Sequence, residues 1–285
     1  MTCPKKIKSL FMVVCCLFLV SCADEPRQPK YERPPIVVEG WIEEGEPPMV
    51  FVTHAVDLTA DSISFDNFVE KWGRVSIFDG ETRHILTGRI NKNYRPQFVF
   101  TSSRLRGEAG HSYRLLIETE TDTLESVSTI LPHPTIASAR AVPSTDNDTL
   151  YTIQMHLNEI APDAYYKIFA RSLSTEKRFY GSFLGTFAGS SYNSNEGVSV
   201  SRGLHIGTED DNQQFSHYYS AGDRVQIKIC SMERPLYDFW TVYDASVSMS
   251  DNLFVNFAGN CPSNIPGALG YWAAYGSDAT VVNIQ

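Results

Sequence analysis

The residues of this chain that could do chemistry are its seven histidines, six cysteines and a few dense carboxylate stretches, and their spacing decides how much they can do. His54, His84, His111, His133, His156, His205 and His217 are scattered. No two stand three or four apart, the spacing that puts two imidazoles on one helical face for a metal ion. Glu209-Asp210-Asp211 and Asp146-Asn147-Asp148 are rich in oxygen ligands, but neither has the twelve-residue calcium loop with its central glycine and terminal glutamate, so solvated turns are expected there. The chain has no G-x-x-x-x-G-K-[ST] phosphate loop, no H-E-x-x-H, no G-x-S-x-G elbow and no C-x-x-C. The expectation is a protein with no catalytic residues and no metal site. A hydrolase with its site dispersed over the second half stays open as a less favoured reading, because triads are defined by geometry and not by chain order.

The cysteine with the most telling surroundings is Cys22. Lys5, Lys6 and Lys8 make a positive start and residues 10–20 are an apolar run that ends at Ser21-Cys22. The run is too short to span a bilayer and reads as a secretory signal, residues 1–21. Leu19-Val20-Ser21-Cys22 resembles a bacterial lipobox at all four positions, with cleavage between Ser21 and Cys22 and acylation of the new N-terminal Cys22. Each buried methylene contributes about 0.8 kcal/mol and two acyl chains already anchor stably, so a lipid on Cys22 serves as the only cofactor expected. Residues 22–35 carry Pro26, Pro29, Pro34 and Pro35 among six charges and almost no apolar side chains. They predict an extended stalk of about 40 Å.

Cleavage removes three lysines, taking the formal charge from −9 to about −12, which argues against nucleic acid as a partner. Cys3, Cys15 and Cys16 leave with the signal, so Cys230 and Cys261 are the two remaining cysteines beside the anchor. They would form either one disulfide closing a loop of about 30 residues, contributing roughly 3 kcal/mol, or two free thiols.

The elements that must position any site are mostly strands. Apolar residues recur with period two over 36–42, 49–55, 74–78, 83–87, 97–101, 112–119 and 124–131, a spacing that predicts an immunoglobulin- or fibronectin-like β-sandwich over residues 36–131. Within 107–115 "GEAGHSYRL" resembles the loop-then-strand entry near the end of many immunoglobulin-like and fibronectin-like modules, which implies a corner at which Tyr113 packs and hydrogen-bonds. Pro132-His133-Pro134 would stop the last strand and begin a second β-rich domain, 132–285, with strands over 136–142, 150–157, 165–172, 179–187, 198–206, 224–232, 271–275 and 280–284. There Leu236, Phe239, Trp240, Tyr243 and Val247 recur at three and four, predicting one helix over about 234–249 whose aromatic stripe is core. Residues 187–197 and 210–216 read as long polar loops, which can carry binding or stay idle.

Several phrases together resemble a known family: "PPIVVEGWIEEGEPPMVFVTHAV", "WGRVSIFDG", "LTGRINKNY", "RLRGEAGHSYRLLIE" and "CPSNIPGALGYWAAY". They are similar to a Bacteroidota outer-membrane lipoprotein family known only as a domain of unknown function, of the DUF4249 type. Its members are commonly encoded beside TonB-dependent receptors. The resemblance implies an outer-membrane lipoprotein, non-enzymatic, accessory to TonB-dependent uptake, with a receptor as partner and no family catalytic residues to carry over. Asp24-Glu25 resembles the acidic surface-export signals of such lipoproteins, which places the chain on the cell surface with the periplasmic face as the alternative. Ser62, Thr123 and Thr149 each sit in an Asp-[Ser/Thr]-aliphatic pattern resembling the O-glycosylation signal of exported Bacteroidota proteins. A structural or adhesive surface protein built from sandwich modules is the alternative class.

Overall fold

In the computed structural model, which describes residues 34–55, 65–144, 147, 149–203, 216–248 and 261–285, the period-two segments are strands. The first half of the chain forms β1 (Ile36–Glu43), β2 (Met49–His54), β3 (Arg74–Asp79), β4 (Thr82–Ile85), β5 (Thr87–Ile90), β6 (Phe98–Thr101), β7 (Ser112–Glu118) and β8 (Thr123–Thr129). The second forms β9 (Thr135–Pro143), β10 (Leu150–Asn158), β11 (Tyr165–Ser172), β12 (Tyr180–Ala188), β13 (Val198–Val200), β14 (Tyr219–Ser220), β15 (Arg224–Met232), the helix α1 (Arg234–Ser248) and β16 (Leu269–Asn283). Among the described residues the expected β-rich character with one packed α-helix is what the structure has, and the helix falls where the apolar spacing places it.

One eight-stranded sheet, in the order β12-β11-β15-β16-β1-β2-β6-β5, runs through the protein. Behind its β1-β2-β6-β5 half lies the four-stranded sheet β4-β3-β7-β8, and the two enclose a core of Val38, Val50, Ile77, Leu115, Ile117 and Trp272. Behind its β11-β15-β16 part lies the sheet of β9, β10, β13 and β14, enclosing Ile153, Met155, Ile168, Ile227 and Ile229. The helix α1 covers part of the front, where Leu236, Phe239 and Trp240 pack on Cys230, Met232 and Tyr275.

The boundary expected at 132–134 lies between β8 and β9, but the large sheet takes strands from both sides of it, and Pro34–Gln285 form one compact unit. The joint is β16. Its first part pairs parallel with β1, from Val37 opposite Leu269 to Glu43 opposite Tyr275, and its second part pairs antiparallel with β15. The two strands expected over 271–275 and 280–284 are therefore one. Gly270 permits the close approach, with φ +94° and a site at which a Cβ would collide with the Val38 carbonyl.

The strand expected over 83–87 is instead two, β4 in the four-stranded sheet and β5 in the eight-stranded one. Leu86 turns inward between them, 5% exposed, its N–H bonded to the Val75 carbonyl at 2.9 Å. Exposed Ile85 and buried Leu86 are adjacent, so one apolar pair in the sequence spans the change of sheet. The strand expected over 198–206 is confined to Val198–Val200 among the described residues.

The corner at Tyr113 is present: the ring is fully buried and the phenol oxygen accepts the Glu108 backbone N–H at 2.8 Å. Tyr113→Phe would orphan that donor, and a loss of about 1–3 kcal/mol is expected in urea unfolding.

Candidate functional site

Strand alternation gives the large sheet a front face unlike its back. On β1 the apolar Val38 and Ile42 point to the rear core, which leaves Glu39, Trp41 and Glu43 in front. The same period puts Phe169 and Arg171 of β11 in front, with Gln226 and Lys228 of β15 and Tyr271 and Tyr275 of β16. Between this face, helix α1 and the segments around Tyr94 and Arg178 lies a cavity of about 770 Å³. Its size falls within the range of about 300–1,000 Å³ usual for ligand sites.

The walls are aromatic. Trp41, Phe51 and Tyr94 form one cluster with ring centroids 5.2–6.2 Å apart, and Tyr271 packs against Phe239 and Trp240 at 4.9 and 5.4 Å. The aromatic stripe of α1 is core, as its spacing implies, but Trp240 and Tyr243 also line the cavity.

Two acids of the cavity are already paired with cations. Lys228 pairs with Glu43 at 2.5 Å, and Ser277 donates to the second Glu43 oxygen. Lys167 binds both Asp244 oxygens at 2.7 and 2.8 Å, a fully enclosed lysine beneath the cavity wall. Arg171 is held by Gln226 at 2.7 and 3.0 Å and lies over Phe179.

Glu39 and Arg178, like Arg171 and Lys177, line the cavity without an ion pair among the described residues. Glu39 opens onto the cavity and has a single hydrogen-bond partner among the described residues, the Tyr271 hydroxyl at 3.2 Å. Arg178 lies over the rings of Tyr94 and Tyr180 at 5.5 and 4.8 Å and makes no ion pair among the described residues. The protein around Glu39 strips water from its carboxyl and raises the pKa, opposed by Arg178 nearby and by the Tyr271 hydroxyl. Burial likewise raises Tyr94 and Tyr271 and pushes Tyr243 up to about 12, so these phenols are hydrogen-bond donors at neutral pH.

The residues singled out in the sequence lie elsewhere or outside the described residues. Ser21, Cys22, Ser62, His205, Asp146, Asp148 and residues 209–211 are among the latter. Thr123 and Thr149 are exposed, and Asn147 accepts the Thr149 N–H and hydroxyl. Cys230 and Cys261 are both free, so the bridge considered from their even number is not formed. Cys230 is enclosed by the packing of α1 on the sheet, and Cys261 only borders that cluster. Among the described residues no histidine lines the cavity, and no group of three His, Cys, Asp or Glu could hold a metal ion. His111 bonds Asp79 at 2.9 Å on the surface. The loop over 187–197 is pinned away from the cavity, with Tyr192 in the second core and bonded to the Leu157 N–H at 2.8 Å.

Glu39, Trp41, Tyr94 and Arg178 were not singled out in sequence. A signal exists nevertheless: on β1 and β11 the positions opposite the core are occupied by charged and aromatic residues together, and a tryptophan between two glutamates is a poor fit to open solvent.

Comparison with known families bears on the whole of this architecture. The family described as "Domain of unknown function (DUF4249)" matches residues 24–280. The chain belongs to this family. The match covers both halves of the DUF4249 chain, including β16, so the family unit contains the strand that joins them. Compared with curated proteins, the chain matches none. No helix among its described residues is long and apolar enough to cross a membrane.

Proposed function

We propose that this DUF4249 protein is a non-enzymatic binding component of a TonB-dependent nutrient uptake system, held to the outer membrane by a lipid on Cys22. The observation that carries the binding role is the cavity of about 770 Å³, whose aromatic walls enclose paired charges and others, Glu39 and Arg178 among them, that form no ion pair among the described residues. A concave, mostly preformed site with a few placed polar groups is how proteins hold small ligands. The anchoring role rests on Leu19-Val20-Ser21-Cys22 and the proline-rich segment after it, and the TonB context on the resemblance of the phrases quoted above. The lipid tethers the body, the stalk lets it reach a neighbouring receptor, and the cavity captures substrate before transfer. Asp24-Glu25 favours the outer face.

Four strains test this: wild type, a deletion strain, Cys22→Ala and Trp41→Ala. The expected result is that wild-type protein is acylated, sediments with outer membranes and brings down a TonB-dependent receptor from detergent extracts. Cys22→Ala loses the acyl label and the membrane association. Trp41→Ala keeps both but impairs uptake of one nutrient. Wild-type extracts that yield no receptor, with unchanged uptake in a deletion strain, would overturn the proposal.

A further inference from the structure

The unmatched pair in the cavity restricts what can fill it. Glu39 and Arg178 are within electrostatic reach of one another yet form no ion pair. Each stands beside aromatic rings that suit an organic ion: Glu39 has Phe51 and Tyr271 as its strand neighbours and Trp41 two residues on, whereas Arg178 lies over two tyrosines. A carboxylate flanked by aromatic rings recognises an ammonium group, through charge and through the ring faces. A guanidinium beside rings and without an ion pair has donors to offer, and those fit a carboxylate two-pronged. Of the other charges of the cavity, Glu43 and Asp244 are compensated by Lys228 and Lys167, and Arg171 is held by the neutral Gln226, so neither acid needs a ligand.

We propose that the cavity binds zwitterionic ligands of the short-peptide class, with Glu39 receiving the ammonium end, Arg178 the carboxylate end, and the aromatic walls the apolar body between. The assignment rests on the reading of this cavity as the ligand site. A neutral sugar would leave both charges uncompensated after desolvation, and a simple anion or cation would leave one. A zwitterion satisfies both, with gain in each charge-assisted hydrogen bond.

The test uses the full-length lipoprotein in detergent and equilibrium dialysis read by mass spectrometry. The probes are a mixed-sequence tetrapeptide pool with free termini, the same pool N-acetylated, the same pool C-amidated, and a mixture of neutral oligosaccharides. Wild type should retain the free-termini pool, with blocking of either end weakening retention about tenfold. Glu39→Gln should weaken the free pool about as much while binding the N-acetylated pool as wild type does. Arg178→Gln should show the same relation with the amidated pool, and Arg178→Lys, which keeps the charge without the fork, should retain an intermediate level. Unchanged melting temperatures separate these effects from misfolding, and Glu39→Gln, nearly isosteric at a position open to the cavity, keeps the test alive if an Arg178 variant fails to fold. Equal retention of free and blocked pools, or no effect of Glu39→Gln, overturns the ligand class. Retention of oligosaccharide that Trp41→Ala abolishes and Glu39→Gln spares also overturns it while leaving the binding function standing. Retention of no probe by wild type overturns both.

Discussion

Lys167→Met is expected to destabilise the fold by about 3–5 kcal/mol, because it strands a carboxylate in the interior. Lys167 is fully buried, and its ammonium group lies 2.7 and 2.8 Å from the Asp244 oxygens, 3.4 Å from the Ser182 carbonyl and 4.9 Å from the Trp240 ring. Without it Asp244 keeps the Thr186 hydroxyl at 2.6 Å, one hydrogen bond for a charge that water no longer reaches well. Burial lowers the Lys167 pKa even with Asp244 beside it. The double variant Lys167→Met/Asp244→Leu should accordingly recover most of the loss, since an apolar pair of similar volume carries no desolvation cost. Urea denaturation of the two variants measures this. A double variant as unstable as the single one would mean that the pair supplies net stability of its own. The pair ties α1 to β11 and β12. A destabilised Lys167 variant should therefore lose the cavity wall that Trp240 and Tyr243 provide.

Trp272→Ala should cost a comparable amount, about 3–5 kcal/mol, the range for emptying a buried aromatic site. Trp272 is 0% exposed, its indole N–H donates to the Tyr113 carbonyl at 2.9 Å, and Gly40 lies directly against its ring. It belongs to β16, yet it fills the core enclosed by β1 to β8. The consequence is a single unfolding transition that moves to lower urea as a whole, with tryptophan fluorescence and far-ultraviolet circular dichroism coinciding. A fragment of residues 36–131 should not fold alone. It lacks Trp272, Ile265 and Ala268 from its core and the parallel partner of β1. A folded fragment, or two resolved transitions in the full chain, would show that the two halves are energetically independent.

The strands of this protein were largely legible because alternation is a local property. In β7, "SYRLLIE" puts Tyr113, Leu115 and Ile117 on one face in sequence, and all three are in the core. The helix was legible for the same reason, as Leu236, Phe239, Trp240 and Tyr243 repeat at its own period. The local pattern misled at Leu86, where a change of sheet falls inside one expected strand, and at Gly276, where β16 passes from β1 to β15 without a break in the strand.

The cavity was not legible, and the reason is physical. Period two assigns Glu39, Trp41 and Glu43 to the face opposite the core, but it does not say what that face meets. Water is the ordinary answer for a half-buried antiparallel strand. Here the answer depends on β16 returning to pair with β1, which sets the strands of one half beside those of the other and brings Arg178 within reach of Glu39. Local spacing alone determined that the described body is β-rich, where its strands and its one helix lie, and which side chains share a face. Strand order, the pairing of distant segments and the meeting of two unmatched charges in one aromatic cavity were decided by tertiary structure, because they depend on contacts between residues whose separation no periodicity encodes.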